Sequence, residues 1–410
     1  MKPTVLRRRG LPTLPRDGLS QFAKSRSVLE VPTGCQCRLI IYLLLVVLLT
    51  VVILYFSLFL VPAIPNEAHS RQELSLIGEI DVVYLWVNGS DPKLLQDYER
   101  LTEFKQIRMD PKHKPGGQRF RQFDELKYSL RSLELYAPWF RRLYLVVAGP
   151  SQTPTWLNTS HPKLFVQFHG DIFPGKHCLP TFNSRAIESN IFRLDGLSEN
   201  FVYFNDDFFL LRPVYPSDFL EVADSGVKHL LYLDRNIPTP GGDDLRPYQN
   251  NHFKGALARG NRILDIYFPI VTRHYFRHVP RLLNRKWFAE LYNLEKAAQA
   301  LTETSSHHFR SPEDVHPLHL YFHYILQKYP ERTKVVSHLT ATLTTKYITL
   351  KNNLKKFQGK LNTLKWWPFY KFLCINDNAG DDPDQQVLAA FQEFLVSSFP
   401  LPSSFEVLEH

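Results

Sequence analysis

Residues 80–92 read Ile-Asp-Val-Val-Tyr-Leu-Trp-Val-Asn-Gly-Ser-Asp-Pro. The first eight are a nearly unbroken apolar run rich in β-branched and aromatic residues, and the last five are turn formers. The stretch therefore reads as a buried strand that ends in a polar loop. Leu143–Val147, Leu164–Phe168 and Phe201–Phe204 are runs of the same kind. Helical periodicity lies between them, over Phe123–Leu135 (closed by Pro138) and over Ala186–Leu194. Strands alternating with helices predict a parallel or mixed α/β sheet. Such sheets bind ligands beyond the carboxyl ends of their strands. Asn88-Gly89-Ser90-Asp91 and Asn205-Asp206-Asp207 both stand at ends of that kind.

Outward from this core, residues 111–118 and 236–251 read as polar loops. Residues 252–330 are largely helical in pattern, and 331–363 are rich in Lys and Thr with no decisive period. Cys374–Asn378 follows another apolar run, and 384–398 has amphipathic helical spacing. The C-terminal half is thus expected to be mainly helical. No repeat or low-complexity tract interrupts the chain.

Toward the N-terminus, Leu39–Val61 is a run of 23 residues without a charge. As a helix it reaches about 35 Å, enough to cross a bilayer core of about 30 Å. It begins too late and runs too long for a cleaved signal peptide. Residues 1–38 hold eight Lys or Arg against two acids, so this tail carries +6 of the chain's formal +9. By the positive-inside rule the tail is cytosolic and the rest lumenal. The expected organisation is a basic tail (1–38), a single-pass type II anchor (39–61), a short stem (62–79) and a lumenal domain (80–410). With the basic excess confined to the tail, no basic groove for nucleic acid is left. Cys178 and Cys374 would face an oxidising lumen, and whether they pair is open. No cysteine spacing resembles a zinc site. Asn158-Thr159-Ser160 fits the glycosylation acceptor pattern, as does Asn88-Gly89-Ser90.

Two adjacent carboxylates at a strand end, Asp206 and Asp207, suit a hard divalent cation that grips a diphosphate. Taken alone, such a pair is as ordinary as a turn or helix cap. Asn376-Asp377-Asn378 is a second oxygen-rich cluster of the same standing. His278 offers a base for a hydroxyl. Arg310 offers a guanidinium that fits phosphate. Position by position, these residues support a metal-assisted enzyme acting on a phosphate-bearing substrate.

The combined pattern resembles the Stealth family, which includes bacterial capsule hexose-1-phosphate transferases and the α/β subunit of animal N-acetylglucosamine-1-phosphotransferase. Four stretches carry the likeness in order. They are Ile80–Pro92; a long second stretch from Asp124–Ser132 to Phe201–Asp207; His278–Pro280 with Thr304–His307 and Arg310–Asp314; and Lys371–Asn378 through Phe399–Pro402. The resemblance implies a glycosyltransferase-A-like mixed sheet flanked by helices, and transfer of a sugar-1-phosphate from a UDP-sugar with UMP leaving. On matching positions it implies that Asp207 binds Mg²⁺ or Mn²⁺ with Asp206 or Asp377 nearby. His278 is then the base, Arg310 stabilises the phosphoryl group, and Arg131 is a further candidate. Trp86, Asn88, Gly89 and Asp91 line the nucleotide end, with Asn205 at the neighbouring strand end, and Glu188 and Asn378 orient substrate. The animal enzyme's large inserted modules are missing, and Arg281 stands where that enzyme has a second histidine. A glycan or polysaccharide acceptor is therefore expected, in a Golgi membrane, with a homodimer left open. The competing readings are a glycosyltransferase that moves the sugar alone and an inactive lumenal scaffold.

Overall fold

The computed structural model describes residues 40–51, 64–105, 117, 120–224, 226–241, 245–248 and 251–407. The chain divides into two units, Met1–Val61 and Pro62–His410. In the first unit, residues 40–51 are helical and present exposed apolar side chains such as Ile41, Leu44 and Leu48. The rest of the expected anchor and the whole basic tail lie outside the described residues. Among the described residues no helix is long and apolar enough to cross a membrane.

In the second unit the strands that concern the site are β1 (Ile80–Leu85), β2 (Leu143–Val147), β3 (Leu164–Phe168), β4 (Asn200–Asn205), β5 (Phe208–Leu210), β6 (Arg281–Asn284), β7 (Thr345–Leu350) and β8 (Phe372–Asp377). The main sheet has the order β6-β4-β1-β2-β3. β1 pairs in parallel with both β2 and β4, β2 in parallel with β3, and β6 joins β4 antiparallel. The sheet is therefore mixed. Alternate residues of each strand enter different cores: Val83, Tyr144, Phe201 and Tyr203 one, Val82, Leu145, Val202 and Phe204 the other. With both faces covered, the strands read as continuous apolar runs rather than alternating ones.

One exception inside β1 is Asp81, fully buried. Arg141 donates to it from Nε at 2.8 Å and from Nη2 at 2.6 Å, and the Ser198 backbone N–H adds a third bond at 2.7 Å. A buried carboxylate is tolerated when paired and hydrogen-bonded in this way.

A smaller sheet, β7-β8-β5, abuts the main one. β5 begins three residues after β4 ends, and it pairs Phe208 with Cys374 of β8. That register brings the Asn205–Asp207 turn beside Cys374–Asp377, although about 170 residues separate them in sequence.

The expected strands at 80–87, 143–147, 164–168 and 201–204 are found to within two residues. The C-terminal half departs from the helical expectation. It has the helices His252–Tyr267, Glu295–Ser306, Pro317–Lys328, Leu354–Trp366 and Gln385–Ser398, interrupted by β6, β7, β8 and the short strands His274–Phe276 and Thr333–Val335. The stem region also has structure. Residues Glu67–Ile77 form a helix capped by Asn66, and Leu74 and Ile77 pack on the core beneath the sheet. Part of the loop expected at 236–251 is strand, Leu233–Pro238. Residues 111–116 lie outside the described residues.

Candidate active site

A cavity of about 790 Å³ opens where β1 and β4 end. Leu85, Trp86 and Val87 come to it from β1, and Asn205, Asp206 and Asp207 from β4. β6 runs antiparallel to β4, so the start of β6 lies beside the end of β4 (Arg281 opposite Tyr203). This register delivers His278 and Arg281 to the same place.

The acids form one wall. Asp207 Oδ2 accepts from the Cys374 thiol and from Asn376 Nδ2, each at 3.3 Å, while its buried Oδ1 has no hydrogen-bond partner. Burial pushes the Asp207 carboxyl up to about 6. Burial and then the neighbouring Asp207 raise Asp206 to about 7. Glu125, missed by the sequence reading, is a third member, raised to about 8 by burial and by Asp206. It opens the helix Glu125–Tyr136 after a left-handed residue, Asp124 at φ 62°, and its Oε2 accepts the Phe123 N–H at 2.6 Å. Gln122 links this wall to β1: its Oε1 accepts from Trp86 Nε1 at 2.8 Å, its Nε2 donates to Val87 O at 2.8 Å, and its side chain bonds Asp206.

His278 sits edge-on to Phe208 and Tyr347, with Nε2 3.4 Å from Asn205 Nδ2. Burial, aided by Arg281, pulls its pKa down to about 3, so the imidazole is neutral at physiological pH.

The guanidinium groups come from different structure. Arg310 lies in the loop after the helix Glu295–Ser306 and donates to Ser184 Oγ at 2.9 Å. Asp314, fully buried, bonds Asn183 Nδ2 (2.9 Å), Arg185 Nη1 (3.4 Å), the Ser311 N–H (3.0 Å) and His307 Nδ1 (2.8 Å). The Phe182 N–H adds a bond to His308 O at 2.6 Å, and the Phe182 and Phe309 rings stack 5.4 Å apart. Residues 181–185 and 307–314 thus form a clasp that holds Arg310 and Arg185 on the cavity wall. Glu188 lies among these cations. It accepts from Tyr203 Oη at 3.2 Å, and its Oε2 is buried without a partner. Arg281, also missed as a site residue, donates to Arg277 O at 2.9 Å.

Several expected site residues lie elsewhere. Arg131 is outside the cavity lining, in a two-point pair with Glu406 at 2.8 and 2.7 Å and bonded to Phe399 O at 2.9 Å. It anchors the C-terminal segment, and the catalytic expectation for it is corrected accordingly. Asn88, Gly89 and Asp91 do not line the cavity either. Asp91 is buried and accepts from Gln152 Nε2 (2.7 Å), Ser151 Oγ (2.8 Å) and the Lys93 N–H (3.0 Å). The Gln152 Oε1 accepts from the Asn88 N–H at 2.7 Å. A Cβ on Gly89 would meet Phe120 O at 2.2 Å, so only glycine lets these two strands of backbone approach. These three residues shape the loop, and Trp86 alone of the four reaches the cavity. Asp377 lines the cavity, with its Oδ2 held by Arg121 at 2.6 Å and its Oδ1 by the Ala379 N–H at 2.9 Å. Asn378 is at the rim. Cys178 and Cys374 are buried free thiols.

The acid wall suits a divalent cation. Asp207 Oδ1 is a buried anionic oxygen with no donor, and carboxyls raised by burial and mutual repulsion are relieved by a positive ion. Among the described residues, ligand atoms of Asp207, His278 and Cys374 lie within 4.8 Å of one another.

Strand ends carrying carboxylates, a neutral imidazole and clasped guanidiniums thus meet at one cavity of an α/β unit. Comparison with known families identifies it more closely. Residues 78–102 match Stealth protein conserved region 1, 119–227 region 2, 277–327 region 3 and 364–410 region 4. An exopolysaccharide phosphotransferase of Lactiplantibacillus plantarum is 32% identical over 80% of this chain and 96% of its own length. One of Streptomyces coelicolor is 36% identical over 80% of this chain and 52% of its length, so the chain spans about half of that relative. The chain belongs to the Stealth protein family. Among solved structures, the galactosyltransferase LgtC in complex with donor and acceptor sugar analogs aligns at TM-score 0.36 and 10% identity, over 79% of this chain and 98% of that one.

Proposed function

We propose that the chain transfers a sugar-1-phosphate from a UDP-sugar to a hydroxyl of an acceptor glycan or polysaccharide, releasing UMP. The observation that carries this reading is that one cavity holds both the carboxylates Asp206 and Asp207 and the guanidiniums of Arg281 and Arg310. Phosphoryl transfer needs little covalent help from a protein, but it needs charge on the phosphoryl oxygens to be offset. The names of the related exopolysaccharide phosphotransferases agree with it.

In this reading the acceptor oxygen attacks the phosphorus that bears the sugar, and the anhydride bond to UMP breaks. The hydroxyl proton passes to His278, whose imidazole is neutral. A diphosphate bound alongside raises the proton affinity of an imidazole that burial alone keeps low. Arg310 and Arg281 hold the phosphoryl oxygens, Trp86 flanks the nucleotide, and Glu188 orients the sugar. Asp207, with Asp206 beside it, would hold Mg²⁺ or Mn²⁺, which supplies positive charge to the diphosphate. A single-pass Golgi anchor with a lumenal catalytic unit remains part of the proposal.

The test is incubation of the full chain with several UDP-sugars, a polysaccharide acceptor and Mg²⁺ or Mn²⁺, with the released nucleotide identified. UMP, together with a phosphodiester in the product, is the expected result. UDP would mean that the sugar moves alone. Neither nucleotide from folded protein would leave a scaffold.

A further inference from the structure

Phe253 and Tyr275 line the cavity but take no part in the proposed chemistry, which gives the nucleotide to Trp86 and the donor sugar to Glu188. Phe253 stands in the first turn of the helix His252–Tyr267, and Tyr275 at the centre of the strand His274–Phe276. Their rings lie nearly parallel, with centroids 6.2 Å apart and planes 23° from one another. His316 adds a third ring, which meets Phe253 edge-on at 5.8 Å. These ring contacts make one contiguous corner of the cavity wall. His316 also caps the helix Pro317–Lys328, its Nδ1 accepting the His319 N–H at 3.4 Å. Burial and then the Arg185 charge hold its pKa well below the usual histidine range, so the imidazole is neutral. With Nδ1 accepting, the ring proton is on Nε2. The corner therefore offers two aromatic rings and one N–H donor.

Phe253 is 47% exposed, although it sits on the wall of a concave site. A half-wet ring beside polar groups suits a ligand that has both an apolar face and hydroxyls. A pyranose ring is such a ligand. Its C–H bonds carry partial positive charge and meet the negative face of an aromatic ring, while its hydroxyls take hydrogen bonds at the edge.

Placement decides between the two sugars of the reaction. Tyr275 and His278 enter the cavity from one segment, three residues apart, and the acceptor hydroxyl has to reach His278. His316 stands within the electrostatic reach of His278, Arg281 and Arg310. An acceptor glycan must also run out of the cavity, whereas the donor sugar ends its own molecule. A half-exposed ring at the wall fits the sugar that continues outward.

We propose that Phe253 and Tyr275, with the Nε2–H of His316, form the subsite that holds the pyranose ring of the acceptor glycan. The assignment to acceptor rather than donor rests on the phosphosugar reading; the stacking of a sugar ring does not.

The test uses the full chain in lipid nanodiscs with three neutral hexose oligomers, maltotetraose, cellotetraose and mannotetraose, and separately with UDP. Saturation passed from protein to ligand is read by NMR. It should concentrate on the ring C–H protons of at least one tetrasaccharide. Phe253→Leu keeps apolar bulk but removes the π face, and should raise the dissociation constant of that sugar about fivefold, with UDP binding unchanged. Phe253→Tyr should restore it. Because Phe253 is half exposed, the melting temperature should stay near that of wild type; Tyr275→Leu serves if the first variant is unfolded. In turnover the acceptor KM should rise by the same factor and the donor KM should not. Saturation of none of the sugars, unchanged sugar binding in the folded variant, or a rise in donor KM instead, overturns the proposal. The nucleotide released judges the reaction separately: UDP in place of UMP would end the phosphosugar reading and leave the sugar-binding result standing.

Discussion

Asp206 and Asp207 lie within two residues of the end of β4, and their place follows from the strand itself. Arg310 is placed by residues far away in sequence: Ser184, which it contacts, lies 126 positions earlier, and Asp314, which pins its loop, bonds Asn183 across 131. One wall of the cavity is thus local and the other is assembled. A local wall is announced by an apolar run followed by acids. An assembled wall depends on a buried carboxylate that looks like any other aspartate until its four partners are seen. The same contrast predicts different responses to mutation, because the local wall can lose its chemistry without losing its structure.

Asp207→Asn should be the most damaging change to activity. A loss of about 10³-fold in kcat is expected, with near-unchanged thermal unfolding, since the amide is isosteric and relieves repulsion with Asp206. Normal turnover by this variant would remove the acid wall from the mechanism. Arg310→Lys should cost about 10²-fold in kcat/KM, because an ammonium cannot reproduce a planar two-point contact with phosphoryl oxygens. Retained activity would mean that Arg281 suffices.

Asp314→Asn tests the clasp. Removing one partner of a buried pair leaves Arg185 uncompensated and should lower stability by about 3 kcal/mol in denaturant unfolding. Activity should fall in kcat/KM alongside it, and less than for Arg310→Lys. If stability holds while activity collapses, Asp314 acts in chemistry and the contrast between the walls fails. The smallest effect concerns His307, whose pKa is raised by its bond to Asp314. A group with a raised folded pKa stabilises fully below its unfolded value near 6.5, and that contribution is lost as pH climbs through the folded value. The melting temperature of wild type minus that of His307→Ala should therefore shrink from pH 5.5 to pH 8.5. A flat difference would show that the His307 charge contributes nothing to the clasp.

What the sequence disclosed follows the same division. β1 to β4 and β8 were legible because strands buried on both faces leave long apolar runs. β6 was not: it is four residues long, and two of them, Arg281 and Asn284, are polar. β7 reads Thr-Lys-Tyr-Ile-Thr-Leu at a sheet edge and alternates with polar residues inside a Lys-rich tract. Asp207, His278, Arg310 and Glu188 were named in advance and share the cavity. The sequence reading names Arg131 and leaves Glu125 unnamed, because the orientation of the helix Glu125–Tyr136 is not legible in the sequence. Six residues turn a helix through about 240° beyond a full circle. Once Glu125 faces the acids, Arg131 must face away, toward Glu406. The Asn88–Asp91 motif reads as a ligand surface by its place at a strand end, but Gly89 packs on the Phe120 backbone while Asn88 and Asp91 bond Gln152, outside the cavity lining.

The strand Leu233–Pro238 pairs antiparallel with His274–Phe276, matching Leu233 to Phe276 and Pro238 to His274. Between the two strands of this ribbon the chain forms the helix His252–Tyr267. His278 and Arg281 follow directly on the return side of the ribbon, and β6 fixes them by pairing with β4. The helix is built into the core rather than hung outside it: Ile263 and Leu264 pack there, and Asn261 Oδ1 accepts from His319 Nε2 at 2.8 Å. Phe253 and Leu257 from the same helix reach the cavity, and His252 O accepts from Arg185 Nη2 at 3.2 Å, so a change in this helix bears on both the shape of the cavity and the clasp.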